Sequence, residues 1–188
     1  MRANPLCNYQ SYSIHDPMIN LEEIFAIEQD PNVIFTALMS ALCETLSCDR
    51  CFLYLRNPRT SKGAITHCYS RSPEFADLTG LTFIEEGEIA ANDPLMALAF
   101  RTPEAVFVDD IETASEAVVN VVYEREAFGH RALIHAPIYH QGQLYGILEP
   151  CVFKHPREWT SYDRSIIYFA QQRSGSVAFK YFQQYQIN

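Results

Sequence analysis

His130–Phe153 reads HRALIHAPIYHQGQLYGILEPCVF, and this stretch decides the fold. Two apolar runs rich in β-branched and aromatic residues flank His140-Gln141-Gly142-Gln143, where a glycine supplies the positive φ of a tight turn. That pattern predicts a β-hairpin. Neither run alternates cleanly, because Ala132, Leu133, Ile134, Ala136, Pro137 and Ile138 are apolar whichever way they point. Strands apolar on both faces are covered on both faces, so the hairpin belongs at the centre of a sheet. Pro137 has no N–H to give to a ladder, and its nitrogen must face a bulge or an unpaired position.

Downstream of the hairpin, Thr160 and Asp163 have the spacing of a capping box, with Asp in place of Glu or Gln. A long helix is expected from there to about Gln183, with Ile166, Phe169, Ala170, Arg173, Val177 and Phe182 in one broad stripe and Tyr181 beside it. Upstream, Pro17–Gln29 suits a short helix. Asp30-Pro31 reads as N-cap and first position of a second helix ending near Ser47. Cys51–Arg56 and Ala64–Tyr69 read as paired strands around Asn57-Pro58 and Lys62-Gly63. Asn92-Asp93-Pro94 caps a short helix, Leu95–Phe100, and Ala105–Val108 is a further strand. Ser115–Ala127 is expected to be helical, with Val118, Val119, Val122 and Tyr123 inward, although its β-branched run weakens the helix. The series α-β-β-α-β-α-β-β-α, with an antiparallel hairpin, suits an antiparallel sheet with helices on its faces.

At 188 residues the expectation is one domain, residues 17–188, after an N-terminal arm at residues 1–16 that is polar, aperiodic and flexible. The formal charge of −9 argues against nucleic acid or an anionic membrane as partner. Six cysteines in a chain this long do not make a disulfide framework. Met1–Pro17 contains no apolar targeting segment, and no window approaches a membrane span, so a reduced cytoplasmic protein is expected.

Cys48-Asp49-Arg50-Cys51 has thiol spacing suited to metal or redox chemistry, but a zinc site needs about four ligands and no second such pair exists. Buried packing is the favoured reading, since free cysteine is among the most buried residue types. The six histidines show no metal-binding spacing. His135 faces opposite to Ile134 and Ala136, and a core imidazole satisfied by hydrogen bonds is the favoured reading for it. Asp109-Asp110 closes a strand and reads as a pair of caps. Ser174-Gly175-Ser176 lies in a helical pattern, unlike a nucleophile elbow, and no glycine-rich phosphate loop occurs.

Ala136-Pro137-Ile138, Gly142-Gln143-Leu144-Tyr145-Gly146-Ile147-Leu148 and Arg157-Glu158-Trp159-Thr160 resemble the last two strands and following helix entry of a GAF domain. The similarity is to the chromophore-binding GAF domains of phytochromes and cyanobacteriochromes, from about Pro31 to Lys180. It implies an α+β fold with an antiparallel sheet of five or six strands and helices packed on its faces. Those chromoproteins attach a bilin through a Cys-His pair. The equivalent place here falls near Asn120-Val121, so no covalent bilin is expected.

Free methionine-R-sulfoxide reductase, a GAF enzyme, carries cysteine-rich and Gly-Pro-Phe-Gln-Gly segments that have no match here. The reading is a non-catalytic regulatory or sensory module acting through a small molecule, protein partners, or both. A small redox enzyme of this fold and a non-covalent tetrapyrrole binder stay open as alternatives. The cofactor is not named by the sequence. A pocket is expected on the sheet face opposite the terminal helices, with Phe83, Phe107, Tyr123, His130 and His135 as its ligand-binding residues. A homodimer through the terminal helices is also expected, with Ile166, Phe169, Arg173 and Val177 in the interface, because the last helix is apolar over much of its circumference.

Overall fold

The computed structural model describes residues 17–27, 30–83 and 91–185. The expected arm at residues 1–16 lies outside them. The elements are α1 (Pro17–Ile27), α2 (Pro31–Thr45), β1 (Arg50–Arg56), β2 (Gly63–Ser70), β3 (Thr82–Phe83), α3 (Pro94–Ala99), β4 (Val106–Val108), α4 (Val121–Ala127), β5 (Ala132–His140), β6 (Gln143–Val152) and α5 (Ser161–Gln184). The strands form one antiparallel sheet in the order β3-β2-β1-β6-β5-β4. The β5–β6 hairpin is interior, as its two-sided apolar pattern demands.

Its turn is closed by His140 opposite Gln143, with φ of 50° at Gln141 and 77° at Gly142. Two consecutive positive φ values are the mark of the two-residue turn that matches strand twist. Pro137 sits beyond the last β4 partner, His135 opposite Val106. Its carbonyl accepts from Gln171 Nε2 at 2.7 Å, and the same amide reaches Pro103 O at 2.8 Å. A helix side chain therefore closes the edge that proline leaves open.

Alternation along the strands divides the core. Cys51, Leu53 and Leu55 of β1 and Ile134, Ala136 and Ile138 of β5 pack under α2 and α5. Gly175 lies against the backbone carbonyl of Tyr139, so α5 approaches the sheet where a Cβ would collide. Thr160 and Asp163 form a reciprocal capping box at the head of α5, the Asp serving as well as the commoner Glu. Asp109 accepts from Trp159 N at 3.1 Å and Asp110 pairs with Arg131 at 2.7 Å, so both close loops.

Two expectations change. Helix α4 is short: Asn120 takes the N-cap, its side chain accepting from Tyr123 N at 3.1 Å, and turns replace the preceding residues. The β-branched run there favours extended backbone over helix. Val119 is fully buried, while Val122 is 60% exposed and not inward. The second correction concerns the proposed dimer stripe. Ile166 and Val177 are buried in this chain's own core, 0% and 7% exposed, because α5 lays that face on the sheet. Phe169 is half-buried against Phe25 of α1, and Arg173 is exposed beside the Phe169 ring. No helix among the described residues is long and apolar enough to cross a membrane.

Candidate functional site

On the face turned away from α2 and α5, the strands place Arg50, Phe52 and Tyr54 of β1, His135 of β5, and Ile147 and Glu149 of β6. Glu149 stands opposite Phe52, and Ile147 opposite Tyr54. Residues from α3 and α4 cover them and line a half-open cavity of about 30 Å³. Its apolar wall is Phe52, Tyr54, Ile65, Met96, Phe128 and Ile147. Its polar wall is Asp93, Tyr123, Glu124, His135 and Glu149. On a scale of roughly 10–15 Å³ per water, the space admits two or three non-hydrogen atoms, far below the ~300 Å³ of drug-sized sites.

A buried hydrogen-bonded chain runs behind this wall. Arg50, 2% exposed, donates to Ala76 O at 3.1 Å, to Phe128 O at 3.2 Å and to His130 Nε2 at 3.0 Å. A guanidinium only donates, so His130 Nε2 must hold a lone pair and Nδ1 the proton. Nδ1 then donates to Glu124 at 2.9 Å and lies 3.4 Å from Glu149. His130 is stacked on Phe128, with centroids 5.2 Å apart, and on Phe52. His135 Nδ1 meets the other Glu149 oxygen at 2.7 Å, and its Nε2, buried, has no hydrogen-bond partner among the described residues.

Burial sets the protonation of this cluster, since removing a charge from water favours the neutral form. It pushes Glu149 up to about 8 and Glu124 up to about 7, and raises Asp93. The same cause drops His130 to about 4 and lowers His135. Glu149, and in part Glu124, thus keeps its proton near pH 7, while both imidazoles stay neutral. The cluster is poorly suited to a metal ion, although Glu124, His130 and Glu149 each bring a ligand atom within 4.8 Å of the others. The His130 nitrogen facing the carboxyls must carry its proton, and the Arg50 cation stands behind the same ring.

Of the sequence-predicted ligand residues, Tyr123 and His135 line the cavity. His130 lies behind its wall. Phe107 lies on the other face, opposite Ile134 in register, with its ring edge-on to Tyr168 and beneath Arg164. The side chain of Phe83 falls outside the described residues. Sequence reading missed Asp93, Glu124 and Glu149. Asp93 was visible only as the N-cap of α3, where it accepts from Leu95 N at 2.9 Å. Glu149, an acid inside an apolar strand, was a signal available and unused. Cys43, Cys48, Cys51 and Cys151 are buried free thiols, and burial pushes Cys48, Cys51 and Cys151 up, which keeps them protonated and inert.

The family model described as GAF domain matches residues 30–173. Solved structures with this fold include the phycocyanobilin-bound GAF domain from a cyanobacterial phytochrome, at 17% identity and TM-score 0.72, covering 91% of this chain and 98% of that one. The blue-light absorbing form of the Thermosynechococcus elongatus PixJ GAF domain matches at 19% identity and TM-score 0.63, over 82% of this chain and 89% of that one. The GAF domain from an Acinetobacter phosphoenolpyruvate-protein phosphotransferase matches at 13% identity and TM-score 0.65, over 89% and 95%. No curated protein matches in sequence.

Proposed function

The chain belongs to the GAF domain family, and from that membership we propose that it is a non-catalytic sensory module responding to a small molecule held in the cavity. The observation that carries this reading is His135 Nε2, a buried polar atom with no partner among the described residues, on a side chain lining the cavity; Arg50 Nε, in the network behind that wall, is also without one. A buried unpaired nitrogen costs roughly 1–3 kcal/mol, which a hydrogen-bonding occupant would recover.

Among the described residues, the space is far smaller than a tetrapyrrole such as the phycocyanobilin of the neighbour above. Asn120, near which the chromoproteins' attachment residue would fall, serves here as a helix cap. The protonated core thiols support a non-catalytic reading over a redox one. Free thiols also suit the cytoplasm, where we place the protein. Output passes to a protein partner or a second copy on the outward side of α5, where Tyr162 and Tyr168 are exposed.

Native mass spectrometry of the purified protein, beside Met96→Phe, which fills the cavity, tests the ligand reading. A non-covalent adduct present in wild type and absent from the variant supports it. Identical masses, together with a variant melting higher than wild type in every extract fraction tried, would show that the space is only a packing defect.

A further inference from the structure

On the reading that the cavity is a ligand site, its lining specifies the charge of the ligand. Three carboxyl groups converge there from separate elements: Asp93 ahead of α3, Glu124 of α4 and Glu149 of β6, each no more than 6% exposed. Among the described residues, no arginine or lysine lines the cavity. The nearby Arg50 is engaged by two carbonyls and by His130, whose ring carries the contact on to Glu124 and Glu149. An anion would therefore meet three acids and no cation along that lining. Phe52, Tyr54, Tyr123 and Phe128 complete the wall, and aromatic faces attract ammonium groups. Apolar Ile65, Met96 and Ile147 leave a place for a short alkyl tail.

We propose that the cavity binds a small protonated alkylamine, methylammonium or ethylammonium in size, and gives up one proton in exchange. Without ligand, the Glu149 carboxyl donates its O–H to His135 Nδ1, and the ring proton sits on Nε2. When the ammonium enters, the Glu149 proton moves to Nδ1 and the Nε2 proton leaves to solvent. Nε2 then has a lone pair that accepts an ammonium N–H, while Asp93 and Glu124 offer further acceptors. One cation enters, one proton leaves, and the charge of the cluster is conserved.

The ionisable groups facing the Glu149–His135 pair are Arg50 and Tyr54 from β1, Asp93 ahead of α3, Tyr123 and Glu124 from α4, and His130. Burial pushes both tyrosines up to about 12, so neither takes part near neutrality. Glu149, held up at about 8, retains a proton to release at pH 7.

Titration calorimetry on the full chain at pH 7 tests this with ethylammonium chloride, in phosphate and in Tris, against ethanol and sodium formate as neutral and anionic probes of equal atom count. Ethylammonium alone should saturate, with enthalpies in the two buffers differing by the release of about one proton. Its Kd should fall roughly 20-fold from pH 6 to pH 7.5. Glu124→Gln, which keeps the shape of the side chain, should weaken binding at least tenfold. Equal binding by that variant would assign the heat to surface carboxylates and overturn the proposal, as would ethylammonium binding without proton release. Saturation by ethanol or formate instead would overturn the amine while leaving the ligand site standing. Failure of all three probes, with adduct-free native spectra, removes both.

Discussion

Replacing Glu149 by Gln should flatten the dependence of stability on pH above neutrality. Glu149 is 5% exposed, and burial lifts its carboxyl from the ordinary 4.5 to about 8. Between those values the folded chain holds one proton more than the unfolded chain, so stability is greatest at the acid end and falls as pH rises. The slope is about 1.4 kcal/mol per pH unit for one group, hence roughly 2 kcal/mol between pH 6.5 and pH 8. Glu124, lifted to about 7, adds under ~1 kcal/mol in the same window. The lowered histidines His67, His130 and His135 work in the opposite sense around and below their ordinary 6.5, where the unfolded chain takes up protons that the folded chain refuses, and together they return about 1 kcal/mol between pH 6.5 and pH 8.

The amide that replaces the Glu149 carboxyl can be satisfied in place. Its carbonyl accepts from His130 Nδ1, and its NH₂ donates to His135 Nδ1 once that ring carries its proton on Nε2. The assay is urea unfolding at pH 6.5 and pH 8, read by fluorescence of Trp159, the single tryptophan and 2% exposed. Across the interval wild type should lose about 2 kcal/mol more than Glu149→Gln, whose curve should be nearly flat. Parallel curves for the two proteins, or a wild type more stable at pH 8, would refute the assignment of the stored proton to Glu149.

Arg50→Lys should destabilise by about 3 kcal/mol in the same assay, since an ammonium cannot serve Ala76 O, Phe128 O and His130 Nε2 together; a loss below ~1 kcal/mol would show that solvent replaces the guanidinium. Native protein should react slowly with a thiol reagent at Cys48, Cys51 and Cys151 and quickly in urea, and fast native modification at any of the three would contradict their burial. Ile166→Asp should unfold the chain and not merely split a dimer, because Ile166 is core. Tyr168→Glu should keep the fold, and by light scattering it should yield a mass near 21.5 kDa if α5 pairs two copies; an unchanged assembly larger than that would place the interface elsewhere.

The hairpin, the helix caps and the order of elements were legible because each is written in residues close together along the chain. Gln141-Gly142 turns, Thr160 caps α5 with Asp163 and Asp30 caps α2 whatever the remainder of the protein does. Alternation alone also placed His135 away from Ile134, and the same rule set Phe107 on the helix face once its partner was known to be Ile134. Ser115–Ala127 forms a shorter helix than its apolar spacing suggests, because the β-branched run that weakens it and the Asn120 cap outweigh that spacing.

What the sequence by itself determined was the fold: periodicity, turn chemistry and caps are local, and they suffice for an antiparallel sheet flanked by helices. Which apolar face of α5 meets the sheet was decided only in three dimensions, because Ile166 and Val177 look no different in sequence from residues of an interface. The same holds for the acid cluster. Arg50, Asp93, Glu124 and Glu149 are separated by 25 residues or more along the chain, and each alone resembles a solvated charge or a cap. Their burial, their raised carboxyl pKa values and the His135 nitrogen left without a partner among the described residues exist only where β1, β5, β6, α3 and α4 meet, since desolvation belongs to the packed assembly and not to any one residue.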